Sequence, residues 1–136
     1  MPELSRFGVS LDSELLHSLD ELVRERKYAS RSHAIKDFVR RSLVKKDWAR
    51  GAVVAGALTL VHDCAPATLA AMESGLEQHR EEVAGEQRLR LDAHTRLSVI
   101  ALHGNARRIQ QLADLLRGIK GVRHGGLSMT ATGGKL

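Results

Sequence analysis

The sequence predicts an α+β chain in two parts followed by a short tail: a β-α-α segment over residues 1–50, a βαββαβ segment over 51–131, and a flexible tail over 132–136. Three observations carry this. An alternating stretch at residues 6–11 is followed by two stretches of helical period. After residue 51, strand-like and helix-like runs follow one another in the order βαββαβ. The last residues are glycine-rich and without period.

Phe7, Val9 and Leu11 alternate with Arg6, Gly8 and Ser10, which is a short strand with one dry face. Asp12 or Ser13 caps the helix that follows, and Leu15, Leu16, Leu19, Leu22 and Val23 recur at helical spacing. Arg24 to Tyr28 is a polar connection. Ser30 then caps a second helix whose apolar positions are Ala34, Ile35, Phe38, Val39 and Leu43. One strand and two amphipathic helices cannot close a core or pair the strand's backbone edges, so a second copy must supply the rest. Two such strands paired antiparallel make a ribbon with Arg6, Gly8 and Ser10 facing outward, and the DNA major groove admits a two-stranded ribbon.

In the second part, AVVAGALTLV within Gly51–His62 is an apolar strand, and Pro66–Glu82 reads as a helix. Residues 85–104, GEQRLRLDAHTRLSVIALHG, alternate like two neighbouring strands. Arg88 and Arg90 fall on one face and Leu89 and Leu91 on the other. Ala106–Lys120 carries Ile109, Leu112, Leu115, Leu116 and Ile119 at helical spacing, and Gly121–Gly126 leads into a last strand at Leu127–Thr130. The order implies an antiparallel sheet with helices on one face.

A formal charge of +5 divides into +3 before the Arg50/Gly51 boundary and +2 after it, an excess that favours a polyanionic partner. No apolar run is long enough to span a bilayer and no secretory signal opens the chain. The single cysteine, Cys64, cannot form an internal disulfide, so a cytoplasmic protein without a membrane partner is expected. His62-Asp63-Cys64 reads as a strand-end turn rather than a metal site.

The stretch RFGVSLDSELLHSLDELVRERKYASRSHAIKDFVRRSL resembles a ribbon-helix-helix DNA-binding domain over nearly all of its length. The resemblance implies that Arg6 and Ser10 read bases and that Ser30, Arg31 and Ser32 contact phosphate at a helix N-terminus. Gly8 departs from the side chain usual between the two readers. The segments LRGIKGVRHGGL at 116–127 and VIALHGN at 99–105 resemble the regulatory domain of the nickel-responsive repressor family, NikR, which has a ferredoxin-like or ACT arrangement. The family implies a homotetramer, a dimer of dimers, that binds a palindromic operator on double-stranded DNA.

Members of that family that bind nickel do so through His-x-His on one strand, a Cys opening the next, and a His from another subunit. Aligned through Leu102-His103-Gly104, these positions fall on Arg88, Arg90 and Arg96, with His79 as the candidate for the last. A guanidinium offers five donors and no available lone pair, so nickel is not expected at the family site. Unit charges about 4 Å apart repel by roughly 4 kcal/mol at an effective dielectric of 20, so converged arginines invite an anion. Two readings follow. In one, Arg88, Arg90 and Arg96, with His79 from a neighbour, bind an oxyanion such as molybdate, sulfate or phosphate and shift the tetramer between DNA-binding geometries. In the other, the arginines pair with Glu77, Glu81, Glu82 or Glu86 and the regulator has no effector. A ribbon-helix-helix antitoxin is the alternative from another class. Nothing in the sequence supplies a nucleophile with its base, a phosphate loop or paired acids, so an enzyme is not expected.

Overall fold

The computed structural model describes residues 3–133, and the chain divides into two compact units, Met1–Arg41 and Ser42–Leu136. The boundary falls inside the second helix, whereas the sequence placed it at Arg50/Gly51. The reason is Trp48: its side chain is buried in the core of the second unit and its indole N–H donates to the Thr130 carbonyl at 2.9 Å. Of the tail read over 132–136, residues 134–136 lie outside the described residues.

In the first unit, helix α1 spans Ser13–Glu25. Asp12 is its N-cap, accepting from the Leu15 N–H at 2.8 Å, and Glu14 in the first turn complements the helix dipole. Helix α2 spans Arg31–Ala49, and the Ser30 hydroxyl accepts from the His33 N–H at 3.1 Å. Residues 3–12 carry no ladder hydrogen bonds within the single chain. A strand needs a neighbour, and within one copy there is none to pair with. The packing agrees: among the described residues of this unit only Ala34 is buried. Phe7 and Leu15 are 76% and 54% exposed beside an apolar hollow of about 310 Å³ that Ile35 and Phe38 also line.

The second unit is a four-stranded antiparallel sheet in the order β2-β3-β1-β4, from strands β1 (Val53–Asp63), β2 (Val83–Arg90), β3 (Thr95–Asn105) and β4 (Val122–Thr130). Helix α3 (Pro66–Gln78) connects β1 to β2 and α4 (Ala106–Arg117) connects β3 to β4. This is the expected βαββαβ order. Val54, Leu58 and Leu60 of β1 and Ile100 and Leu102 of β3 are buried against Met72 and Leu76 of α3 and Ile109, Leu112 and Leu116 of α4. Each such side chain contributes roughly 1.5–3 kcal/mol of burial free energy, enough for this unit to hold a core of its own. Among the described residues no helix is long and apolar enough to cross a membrane.

Three boundaries differ from the sequence reading. The helix read over Pro66–Glu82 stops at Gln78, and Arg80–Glu82 forms a separate 3-10 turn that delivers the chain to β2. Helix α4 ends at Arg117, where Gly118 caps it. Strand β4 begins at Val122, so Gly125 and Gly126, read as part of a lead-in, belong to the sheet, while Gly121 stays in the turn before it. Gly125 belongs there because a Cβ on it would come 2.5 Å from Arg117 Cγ and 2.8 Å from Leu60 Cδ2. A missing side chain is what lets α4 lie close over that strand.

Candidate functional site

Two groups of residues bear on function, one in each unit. In the first unit Phe7, Val9 and Leu11 line the apolar hollow, which leaves Arg6, Gly8 and Ser10 on the alternate positions; all three are exposed. Ser30, Arg31 and Ser32 are exposed at the start of α2, where the first backbone N–H groups lack intrahelical partners. Ser30 accepts the His33 N–H through its oxygen, and its own hydroxyl proton remains free to donate.

Arg31 is already engaged. Its Nε and Nη2 donate to the two carboxylate oxygens of Asp20 at 2.8 and 2.9 Å, a bidentate fork, and the Arg31 hydrogen bond holds the Asp20 carboxyl below its ordinary pKa. Both side chains are about half exposed, and exposed pairs of this kind are worth only about 0–1 kcal/mol. A phosphate can therefore compete for the guanidinium. Further along α2, Asp37 accepts from the Tyr28 hydroxyl and from Arg41 Nε, so its carboxylate is committed within the same unit.

In the second unit, the register of β2 and β3 brings the three arginines together. Arg90 lies opposite Arg96, and Arg88 lies opposite Ser98. Ser98 is buried on the same face as Ile100 and Leu102, so the arginines project from the helix-covered face near the end of the strand pair. Arg90 Nε and Arg96 Nη1 both donate to the Asp92 carbonyl, at 3.3 and 3.0 Å, and Arg96 Nη1 also reaches the Thr95 carbonyl at 3.2 Å. The loop between the strands is fixed by Asp92, which accepts the His94 N–H at 2.8 Å. That bond, joined by the Thr95 hydroxyl, holds the Asp92 carboxyl below its ordinary pKa.

Among the described residues, neither Arg90 nor Arg96 has a carboxylate partner. Arg88 does, with Nη2 3.0 Å from Glu86 Oε1. The other glutamates considered as partners are used or placed elsewhere: Glu77 pairs with Arg80 at 2.7 Å and Glu82 with Arg108 at 2.6 Å.

His79 stands at the end of α3, buried at 7% exposure, with Nδ1 lacking a hydrogen-bond partner among the described residues. Burial, with Arg108 acting in the same sense, pushes its pKa down, partly offset by Glu82. The structure thus brings Arg88, Arg90 and Arg96 together, and His79 belongs to a different cluster of the same chain, with Glu82 and Arg108.

The sequence reading placed His62 in a strand-end turn and did not single out Ser98, and both lie beneath the arginine site. His62 is fully buried, its Nδ1 2.7 Å from the Asp63 carbonyl and its Nε2 2.7 Å from Ser98 Oγ, and Ser98 is itself fully buried. The signal was available in strand parity. Position 62 continues the buried series 54, 58, 60 of β1, and position 98 opens the series 100, 102 of β3. A polar residue at a core position in register with another is a hydrogen-bonded pair in waiting. Asp63 and Cys64 serve the turn: Asp63 accepts the Ala65 N–H at 3.0 Å, and the Thr68 hydroxyl, ahead of that bond, keeps its carboxyl pKa low. Among the described residues no three His, Cys, Asp or Glu side chains gather in a group that could hold a metal ion.

Comparison with known proteins places these features in one group. Residues 55–130 match the family model described as the NikR C-terminal nickel-binding domain, and residues 5–46 match that of the ribbon-helix-helix protein, copG family. A protein of Geobacter sulfurreducens named "Putative nickel-responsive regulator" is 41% identical over 138 residues, covering 100% of this chain and 99% of its own. One of the same name from Thermococcus onnurineus is 37% identical, covering 98% and 99%. A solved structure of an uncharacterized protein from Thermotoga maritima shares the fold, with a TM-score of 0.52 at 17% identity over 57% of this chain and 96% of its own. The antitoxin alternative expects a partner-binding tail after the first domain, whereas residues 53–130 form a folded sheet with a core of its own. With both family models in order along one chain and full-length relatives above 30% identity, this chain belongs to the NikR family of ribbon-helix-helix transcriptional regulators and is not an enzyme.

Proposed function

We propose that this regulator binds a palindromic operator as a homotetramer, a dimer of dimers, and that its effector is a small tetrahedral oxyanion, molybdate, sulfate or phosphate, rather than nickel. In this reading Arg6 and Ser10 contact base edges and Ser30, Arg31 and Ser32 fix phosphates. Arg6 paired with guanine O6 and N7 supplies roughly 1–3 kcal/mol of discrimination. Gly8 allows close approach of the ribbon and reads no base. The exposure of Arg6, Gly8 and Ser10 supports this use of the segment.

Nickel requires lone-pair donors, and the residues present do not provide them. Guanidinium nitrogens have no available lone pair, and a guanidinium does not give up a proton in neutral water to create one. The observation that carries the oxyanion reading is the convergence of Arg90 and Arg96 on one carbonyl, that of Asp92, with neither in an ion pair with a carboxylate among the described residues. Two neighbouring cations sharing one neutral acceptor leave charge uncompensated. An oxyanion at their free N–H groups would compensate it through charge-assisted bonds, with His79 of a neighbouring copy as a further donor. Occupancy would remove the repulsion and so favour whichever tetramer geometry holds the arginines closest, coupling effector to operator.

A second reading is favoured by one contact, the Arg88–Glu86 pair at 3.0 Å: the arginines are structural and the repressor has no effector. Isothermal titration of the full-length protein with molybdate, sulfate, phosphate and nickel separates the two. Saturable heat from an oxyanion that disappears in an Arg90→Gln/Arg96→Gln variant supports the effector, and no heat from any oxyanion supports the structural role.

A further inference from the structure

Two buried polar side chains, His62 and Ser98, lie beneath Arg88, and for a neutral imidazole the end groups fix the direction of every hydrogen bond between them. The Asp63 carbonyl, 2.7 Å from His62 Nδ1, can only accept, so Nδ1 carries the imidazole proton. In the neutral ring Nε2 is then an acceptor, and the Ser98 hydroxyl 2.7 Å away must donate to it. With its one proton used, Ser98 Oγ can face Arg88 only as an acceptor. Arg88 Nε, 3.3 Å away, supplies the donor. The result is a directed chain: Arg88 donates to Ser98, Ser98 donates to His62, and His62 donates to the backbone of Asp63.

We infer that His62 and Ser98 are positioning residues that set the plane and direction of the Arg88 guanidinium; the inference deepens the oxyanion reading and rests on it for the identity of the ligand. Both side chains are fully buried, so the relay has no water to exchange with and holds a single arrangement. Arg88 is then gripped at two points, Nε by Ser98 and Nη2 by Glu86 at 3.0 Å. Of five N–H donors two are used. The remaining three are on Nη1 and Nη2, and a fork to two oxygens of one anion uses one from each. His62 also lies directly opposite Arg96 across β1 and β3, and Ser98 directly opposite Arg88 across β3 and β2. The same buried pair therefore underlies the strands that carry the arginines. The charged and titratable groups around it are Arg88, Arg96 and Asp63, with Arg123 reaching the neighbouring Thr95 hydroxyl at 3.5 Å.

The test uses the full-length protein in two arms. In the first, nitrogen-15 NMR without added anion reads the His62 tautomer and the solvent exchange of the Arg88 Nε–H. The expected result is an Nδ1–H tautomer in the wild type, with Arg88 Nε–H exchange at least about tenfold faster in Ser98→Ala and returned to the wild-type rate in Ser98→Thr. In the second, molybdate titration is expected to show affinity about tenfold weaker in Ser98→Ala and restored in Ser98→Thr, the size of effect that supporting partners of a ligand site exert. An Nε2–H tautomer in the wild type overturns the inference, as does Arg88 exchange that Ser98→Ala leaves unchanged. If the wild type binds no oxyanion, the proposed effector fails, and the NMR arm still decides the relay. If molybdate binds with equal affinity to wild type and Ser98→Ala, the effector reading stands and the positioning role falls.

Discussion

Replacing Arg90 with glutamine should make the anion-free protein more stable, although it removes a hydrogen bond. Arg90 Nε and Arg96 Nη1 share the Asp92 carbonyl at 3.3 and 3.0 Å, so the two bonds laid end to end put these nitrogens at most about 6 Å apart. Two unit charges at about 6 Å repel by roughly 3 kcal/mol at an effective dielectric of 20 and by less than about 1 kcal/mol in bulk water. Arg90 is exposed and Arg96 half-buried, which places the pair between these limits. Against that relief stands one long bond to a carbonyl, worth about 0.5–1.5 kcal/mol net. The balance is a stabilisation of about 1 kcal/mol at low salt for Arg90→Gln. Urea unfolding at fixed protomer concentration measures it, since an oligomer's midpoint depends on concentration. In 1 M salt the Debye length falls to about 3 Å and the gain should vanish. A variant less stable than wild type at low salt, or a gain indifferent to salt, would refute uncompensated repulsion and indicate that Arg90 has a counter-charge.

Two further outcomes follow from the same geometry. Asp20→Asn releases Arg31 from its bidentate partner and should tighten operator binding up to about fivefold, since exposed pairs hold about 0–1 kcal/mol; the slope of log affinity against log salt should also steepen toward one more phosphate contact. Unchanged affinity and slope in a mobility-shift series would assign Arg31 to bracing α1 against α2 instead. His79 should make stability fall as pH drops below about 6.5. Its folded pKa is depressed, so between the folded value and the ordinary one the unfolded chain binds more protons and acid favours unfolding. Replacing it with leucine should flatten that part of the stability curve, and an equally steep curve in the variant would place the titration on another group.

The legible parts of this sequence were those governed by local rules. The cap at Asp12 or Ser13, which falls on Asp12, the cap at Ser30, the order βαββαβ and the strand parity of Arg88 and Arg90 follow from side-chain period and hydrogen-bonding chemistry, and the structure holds each. The parts that differed depend on contacts distant in sequence. Trp48 moved the unit boundary into α2 because its pocket is made by strands, including the Thr130 carbonyl it bonds. Strand β4 reached back to Val122 because residues 122–126 pair with β1, where Gly125 leaves room for the Arg117 side chain, a fit no local propensity announces. The segment at 6–11 has strand pattern without a strand partner in one chain, as expected of an element completed by a second copy. At the arginine site, the three cations and the shared face of Arg88 and Arg90 were legible in the sequence, and the register added Arg96 to that face together with what lies beneath it. His62 and Ser98 occur 36 residues apart, and only β1–β3 pairing joins them.

The most direct measurement is isothermal titration of the purified full-length protein with molybdate and, separately, with nickel, repeated in an Arg90→Gln/Arg96→Gln variant. The account predicts saturable oxyanion binding that the double substitution abolishes, and no nickel uptake at this site in either protein. Stoichiometric nickel binding that is lost in the arginine variant, with no response to any oxyanion, would contradict it.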